Sequence, residues 1–482
     1  MSPLLMSMRL HTTLLVLLFG VTGFFATFHL TESPPVWYDE GFYVQSAANL
    51  ATYGQTGLRV APESIELSSK LITVGYPLIY PLAGWLNAFG VSVLSARSLM
   101  VLFILGFLLA GYFFVKRLFG PELALGALAL LATLPTLYGN GKSVLGEVPG
   151  LLYLILSLLF LTIALSSTMR KSLWFVLAGL SAGICVVTKP TFLVLIPAIA
   201  LGIFVAWHRR VANAREILFA IIAGSVPVLV WLLLQFQGGD SLASILSYYA
   251  NPYQLTNLSS VVLENIKRLF TGIGPLYLVG VMGIWLYASW IRLRRRETIP
   301  IAEIIALGFS FLIIAAYLRT AGWYRYLFEA QALSLLFFPN ALLVVTQPIV
   351  RFVSPKRVVA AVIAVLTIFG AYQVMFNSFV AESYNRDKTS FLEAYFDNAP
   401  STTSFFVYNV PEVAIFIRGT NYYQYIDAAG WYIGREQLPA IAEGKIDKII
   451  LSTDAYANRT EDAFGLYKVA TTTHDYTILE KI

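Results

Sequence analysis

Apolar runs separated by short polar segments make up most of the chain. They reach or approach the roughly 20 residues that a helix needs to cross about 30 Å of hydrocarbon. The runs lie near residues 10–30, 96–115, 121–138, 148–166, 172–188, 191–207, 216–236, 274–291, 301–318, 326–346 and 357–376. This pattern predicts an all-α polytopic membrane protein with about 11 transmembrane helices.

The composition agrees with that class. Of the 482 residues, 57% are hydrophobic and 12% are charged, whereas soluble domains carry about 25% charge. A soluble enzyme is therefore excluded. The net charge of +6 comes from short basic clusters between the apolar runs, which indicate membrane topology and no nucleic-acid partner. The histidines are scattered, so a histidine-based metal site is not expected.

The basic clusters also predict an orientation. Short loops rich in Lys and Arg stay in the cytoplasm, and these loops lie on the side of the N-terminus. The first run has no clear cleavage site, so we expect it to remain as a membrane helix. An odd number of spans then places the C-terminal tail outside, in a multi-pass protein of the plasma membrane.

Two outer segments are too long to be simple connections. A membrane domain over residues 1–376 has two long outer segments, 31–95 and 237–273. The composition changes in residues 377–482, where strand-like stretches at 402–410, 448–453 and 476–480 surround a helical stretch at 435–443. We expect a small extracytoplasmic α/β domain there, and function in the long outer segments.

Two adjacent acids, Asp39 and Glu40, follow the first span by about nine residues. Apolar residues at helical spacing from Gly41 onward predict a short helix along the membrane interface, with both carboxylates at its N-terminus. Such acids can abstract a proton or hold a cation. The alternative is that they only cap the helix.

Further charges are predicted at the same face of the membrane. Glu147 lies at the mouth of the fourth span, and acids near a membrane are costly and often functional; alternatively it marks a helix start before Pro149. Arg97, Lys189 and Arg325 lie at the ends of other spans and could neutralise a phosphate. The alternative is that these cations extend to lipid headgroups.

Several short motifs follow the acidic pair in order along the chain. They are Gly75-Tyr76-Pro77-Leu78, Leu86-Asn87-Ala88-Phe89-Gly90, Ala96-Arg97-Ser98, Lys116-Arg117-Leu118-Phe119-Gly120, Glu147-Val148-Pro149, Thr188-Lys189-Pro190 and Arg325-Tyr326-Leu327. Their order and membrane side resemble the protein-mannosyltransferase and aminoarabinose-transferase branch of the GT-C glycosyltransferases. The resemblance covers about residues 10–346. Family members often carry His or a second Pro at Gly75 and Tyr76, and Asp at Glu147.

The resemblance implies a GT-C fold and transfer of a hexose or pentose from a polyprenyl-phosphate donor to a hydroxyl outside the cytoplasm, with inversion. It implies that Asp39 is the general base and that Glu40 and Glu147 position the acceptor or a cation. Arg325, Arg97 and Lys189 would bind the donor phosphate. The acceptor, whether lipid, glycan or protein, stays open, as does a divalent cation such as Mg or Mn.

Two other classes of protein fit the same features. A transporter or flippase of a lipid-linked or polar substrate would also have many spans, and it predicts broken helices with charged residues near the bilayer midplane. A scaffold subunit would use Asp39 and Glu147 only as helix caps.

Overall fold

A computed structural model of the protein describes residues 8–68, 70–167, 169–235, 241–251, 255–348, 353–378, 386–428, 431–458 and 464–482. Its first part is helical apart from one hairpin. The elements, in chain order, are α1 (Met8–Thr27), α2 (Tyr38–Tyr53), β1 (Leu58–Ala61), β2 (Ser64–Glu66), α3 (Tyr76–Phe89), α4 (Val93–Phe119), α5 (Pro121–Ala132), α6 (Pro135–Gly141), α7 (Glu147–Ser166), α8 (Lys171–Thr188), α9 (Leu195–His208), α10 (Ala214–Gln235), α11 (Leu242–Ala250), α12 (Leu258–Thr271), α13 (Ile273–Arg294), α14 (Ile301–Tyr317), α15 (Phe328–Thr346) and α16 (Pro355–Phe376).

All of the predicted apolar runs coincide with helices, which confirms the all-α membrane fold. In the described part of the chain, nine helical segments are long and apolar enough to cross a membrane, and the pair α5 and α6 makes a tenth if it counts as one span. This pair is bent by 62° because Pro135 begins a new helix and Leu134 before it is extended. Together with α14, whose 17 residues are the lower limit for a span, these segments agree with the expected number of about 11.

The helices form one bundle around the deeply buried α15, whereas α10 and α16 expose most of their surface. Helices α8 and α10 approach so closely that a Cβ on Gly179 would collide with the carbonyl of Ala220, and one on Gly183 with that of Gly224. We call this contact the glycine seam. Small residues allow such backbone contact between membrane helices. Beside the seam lies an apolar cavity of about 480 Å³ between α7, α8, α9, α10 and α14.

One end of the bundle, here called the loop face, carries α2, the β1–β2 hairpin and α3. The predicted helix after the acidic pair is confirmed and begins at Tyr38. It does not lie along a free surface, because the C-terminal part of the chain covers it. A Cβ on Gly41 would collide with the backbone nitrogen of Glu412, and Gln45 Nε2 donates to the carbonyl of Pro411 at 2.7 Å.

The described residues from 386 onward contain helices packed against one sheet. Their elements are α17 (Arg386–Asp397), β3 (Phe405–Tyr408), β4 (Tyr422–Ala428), β5 (Trp431–Ile433), α18 (Pro439–Ala442), β6 (Lys448–Ser452), α19 (Thr453–Ala457), β7 (Tyr467–Thr472) and β8 (Tyr476–Lys481). The strand order is β5-β4-β3-β6-β8-β7, with β3 parallel to β4 and β6 and the other pairs antiparallel. The predicted α/β character is therefore confirmed, although the helix expected at 435–443 is only a 3₁₀ turn followed by the four-residue α18.

The predicted long segments are partly outside this description. Residues 237–240 and 252–254 of the second long segment lie outside the described residues, and so do residues 379–385 at the start of the predicted C-terminal domain. The predicted domain boundary after residue 376 stays a prediction.

Candidate active site at the loop face

The six charged residues predicted from the sequence form three acid–base pairs. The pairs are Asp39 with Arg325 at 3.3 Å, Glu40 with Arg97 at 2.7 Å, and Glu147 with Lys189 at 2.5 Å. Each acid therefore meets a cation from a distant part of the chain. The pairs differ in burial, and burial determines whether a substrate can reach them.

Glu40 and Arg97 are completely buried and form a bidentate pair. Arg97 Nη1 also donates to the carbonyls of Leu30 and Pro34, at 2.8 and 2.7 Å. Glu40 additionally accepts from the backbone N–H of Trp37 at 3.3 Å, which satisfies a free donor at the start of α2. This geometry holds the start of α2 in place; the predicted roles of Glu40 toward the acceptor or a cation and of Arg97 toward the donor phosphate stay predictions.

Asp39 and Arg325 form the most exposed of the three pairs. The side chain of Asp39 is 34% exposed and that of Arg325 is 15% exposed. The guanidinium lies 4.9 to 5.3 Å from the ring centres of Trp37, Trp323 and Tyr326, and such cation–π contacts stabilise a cation away from bulk water. This pair can therefore be reached by a substrate while Arg325 is held in place.

Glu147 and Lys189 are buried near a third acid that the sequence analysis missed. Glu329, in the first turn of α15, accepts from Thr191 Oγ1 at 3.4 Å and interacts electrostatically with both members of the pair. In the described part of the chain, Oε2 of Glu147 and Oε2 of Glu329 are buried without a hydrogen-bond partner. The signal that could have identified Glu329 is its place as an acid inside the apolar run 326–346.

Tyr43 interacts electrostatically with two of these pairs, and the sequence analysis did not identify it as a site residue. It lies one helical turn after Asp39 and on the same face of α2, and its hydroxyl is 2.8 Å from Thr73 Oγ1. Burial raises the pKa of the Tyr43 phenol well above its usual value. The negative charge of Asp39 raises this pKa further, and that of Glu147 has a weaker effect in the same direction, whereas the positive charge of Arg325 lowers it. The phenol thus stays protonated, and it lies within electrostatic reach of two of the three pairs.

A cavity of about 420 Å³ continues along this face of α2. Ser46 and Leu50 line it from the helix, and Val74, Tyr76 and Tyr80 line it from α3 and the segment before it. The side chain of Val74 also packs against Gly146, directly before Glu147. Val74 therefore joins the wall of this cavity to the start of α7, where Glu147 lies.

Comparison with known proteins identifies the fold of the chain. Residues 77–233 match the family described as dolichyl-phosphate-mannose-protein mannosyltransferase. No curated protein sequence matches the chain. The crystal structure of ArnT from Cupriavidus metallidurans bound to undecaprenyl phosphate superposes with a TM-score of 0.64 and 12% identity over 98% of both chains. The chain is a multi-pass membrane protein with the GT-C glycosyltransferase fold.

A second solved GT-C structure agrees with this result. The Archaeoglobus fulgidus oligosaccharyltransferase tethered to an acceptor peptide superposes with a TM-score of 0.62 and 13% identity, over 93% of this chain and 70% of that one. The resemblance predicted from the sequence is thereby confirmed at the level of the fold.

Within the described residues, no group of three or more His, Cys, Asp or Glu side chains is placed to hold a metal ion. The sequence-based expectation that Mg or Mn could take part stays a prediction.

Proposed function

We propose that the protein transfers a sugar from a polyprenyl-phosphate donor to an acceptor hydroxyl at the extracytoplasmic face of the membrane. The observation that carries this proposal is the half-exposed pair of Asp39 and Arg325 at the loop face. Support comes from the GT-C fold and from the undecaprenyl phosphate bound to ArnT. The predicted orientation, with the N-terminus in the cytoplasm and the loop face outside, belongs to the same proposal.

Arg325 is the group that we assign to the donor phosphate. A donor phosphate carries negative charge and competes with Asp39 for the guanidinium, which binds phosphate oxygens well. Donor binding would therefore release the Asp39 carboxylate next to the acceptor. In this way one ion pair keeps both groups in place until both substrates are present.

The transfer itself needs one base and one stabilised leaving group. The acceptor oxygen forms a bond to the anomeric carbon with its lone pair, while the bond from that carbon to the phosphate oxygen breaks. The electron pair of the broken bond leaves on the polyprenyl phosphate, where Arg325 stabilises the charge. The acceptor proton passes to Asp39, and the configuration at the anomeric carbon inverts.

Glu147 and Lys189 are assigned to positioning in this proposal. Because Glu147 neutralises Lys189 in a buried contact, the lysine is less available to the donor phosphate than Arg325. Their place beside Tyr43 and Val74 fits a role in shaping the wall that the acceptor contacts.

The experiment follows donor consumption by the purified protein in lipid vesicles, with a panel of polyprenyl-phosphate sugars. We expect Asp39→Asn to lower turnover by about 10² to 10⁴, the usual range for a general base, with an unchanged unfolding midpoint. Arg325→Gln should mainly raise the KM for the donor. Glu122→Gln is the control, because Glu122 forms an exposed pair with Lys356. A folded Asp39→Asn variant with the wild-type rate would contradict the assignment.

The alternative of a transporter has less support. The chain does have a broken helix, at Thr133 and Leu134, but neither residue carries a charge. The acids and cations of the site lie at helix ends and in loops on one face, where surface chemistry needs them.

A further inference from the structure

A second polar cavity lies on the opposite face of α2. It has a volume of about 240 Å³ and is enclosed by α2, Arg59 of β1 and the segment before β4. Gln45, Ala48 and Asn49 line it from the helix. With about 100° between successive residues, these positions point about a quarter to half a turn away from Asp39 and Tyr43. The cavity is thus separate from the candidate active site.

Arg59 gives this cavity an unbalanced positive charge. The residue is only 4% exposed and lines the cavity. Its Nη1 donates to the carbonyl of Pro62, and its guanidinium lies 4.7 Å from the ring centre of Tyr53. Among the residues that the structure describes, no carboxylate lies within ion-pair distance of Arg59. A buried charge without a counter-ion is costly, so an anionic ligand would be stabilised there.

The phenol that faces Arg59 does not supply the missing negative charge. Tyr422 lines the same cavity. Burial raises the pKa of the Tyr422 phenol well above its usual value, and the nearby Arg59 only partly opposes this effect. Tyr422 is therefore a neutral hydrogen-bonding group at physiological pH.

The rest of the lining combines neutral polar side chains with apolar ones such as Val44 and Ile415. Asn49, Thr52 and Thr420 contribute neutral polar groups. Gln45 donates through Nε2 to Pro411 and Gln424, but its Oε1 is buried and has no hydrogen-bond partner in the described part of the chain. The volume is below the roughly 300 Å³ at which cavities for drug-sized ligands begin. It therefore fits a ligand the size of one sugar ring.

We propose that this cavity is a binding site for a small anionic sugar, with Arg59 holding its carboxylate or phosphate and Gln45 and Asn49 holding its hydroxyls. The ligand would contact α2 and the C-terminal domain at the same time. The proposal does not depend on the transfer reaction.

The test measures binding to the full-length protein in detergent by calorimetry, with glucuronate, glucose 6-phosphate, inorganic phosphate and glucose as probes. We expect glucuronate or glucose 6-phosphate to bind at least about tenfold more tightly than glucose and inorganic phosphate, since a hydrogen-bonded charge pair contributes about 1.5–3 kcal/mol. Whichever of the two binds more tightly identifies the anionic group. Equal binding of glucose 6-phosphate and inorganic phosphate would reduce the cavity to a simple anion site and overturn the proposal.

Variants then locate the site. Arg59→Gln should weaken binding about 10- to 100-fold, whereas Arg418→Gln should not, because Arg418 is exposed and pairs with Asp397. If Arg59→Gln does not fold, Thr52→Trp replaces it, because Thr52 is exposed at the cavity rim and a large ring there blocks entry. Undiminished binding by the folded variant would refute the site.

Discussion

The burial of Arg97 and its pairing with Glu40 determine the role of this charged residue. The sequence places Arg97 and Glu40 at the same membrane face, and that much can be predicted from apolar runs. It does not reveal that the two form a bidentate pair across 57 positions, because the pairing depends on the path of the loop between α1 and α2. The same limit applies to Glu147 with Lys189 and to the position of Glu329.

The buried pair gives a stability prediction. Arg97→Met should lower the free energy of unfolding by about 3–5 kcal/mol, because it leaves the carboxylate of Glu40 buried without a counter-ion. The measurement is thermal or denaturant unfolding in detergent. The matched control is Lys356→Met, which removes an exposed pair and should cost about 0–1 kcal/mol. Equal losses in the two variants would show that burial of the Arg97 pair has no special effect.

Helix α2 is the element that organises the loop face. Its helical spacing and its acidic first turn are visible in the sequence, and the structure confirms the helix. Its burial could not be predicted, because it depends on contacts with residues far along the chain, such as the 2.8 Å hydrogen bond from Tyr38 to Asn409. One side of α2 carries Asp39 and Tyr43, and the other carries Gly41 against the C-terminal domain.

This contact predicts an effect of adding a single methyl group. Gly41→Ala should loosen the C-terminal domain from α2, since the new Cβ collides with the backbone at Glu412, which cannot move as a side chain could. Hydrogen exchange in α2 and in residues 411–415 should increase. Gly84→Ala is the control in a neighbouring helix, where nothing lies within 4 Å, and it should be neutral or stabilising by up to about 1 kcal/mol. Unchanged exchange in Gly41→Ala would show that the domain contact is not tight.

At the scale of the whole molecule, the apolar pattern predicted the bundle well because every run had to be helical in a membrane. It did not reveal the irregular form of two of the spans. Pro135 divides one run into two bent helices, and α14 is short, and neither effect changes the hydropathy. How the C-terminal domain docks on the loop face depends on non-local contacts, which periodicity does not report.

Two acids at this docking surface predict a pH dependence of stability. Glu66 is the last residue of β2 and interacts with Glu436 of the C-terminal domain; burial and this neighbour raise the pKa of Glu66 to about 7 from 4.5. For Glu436, burial acts to raise the pKa of the carboxyl group, but hydrogen bonds outweigh burial and lower this pKa. The strongest of these hydrogen bonds is the one from Gln437. The folded protein therefore keeps a proton on Glu66 that the unfolded chain releases above about pH 4.5.

Stability should consequently fall as the pH rises from about 4.5 to about 7. Because Glu66 is only partly buried, we expect about 1 kcal/mol, well below the value for full burial. Unfolding midpoints across this range should fall less for Glu66→Gln than for the wild type. Glu63→Gln, at an exposed position in the same hairpin, should behave as the wild type does. Identical pH profiles for wild type and Glu66→Gln would remove this explanation.

The glycine seam between α8 and α10 makes the protein sensitive to the thickness of its bilayer. Helix α10 exposes most of its surface, and it is fixed to α8 near its middle, at Ala220 and Gly224. A helix whose apolar length exceeds the local hydrocarbon thickness tilts, and α10 would tilt about this fixed point. Its far end carries Leu234, which lines the 420 Å³ cavity along α2. Lipid chain length is therefore expected to change the width of that cavity.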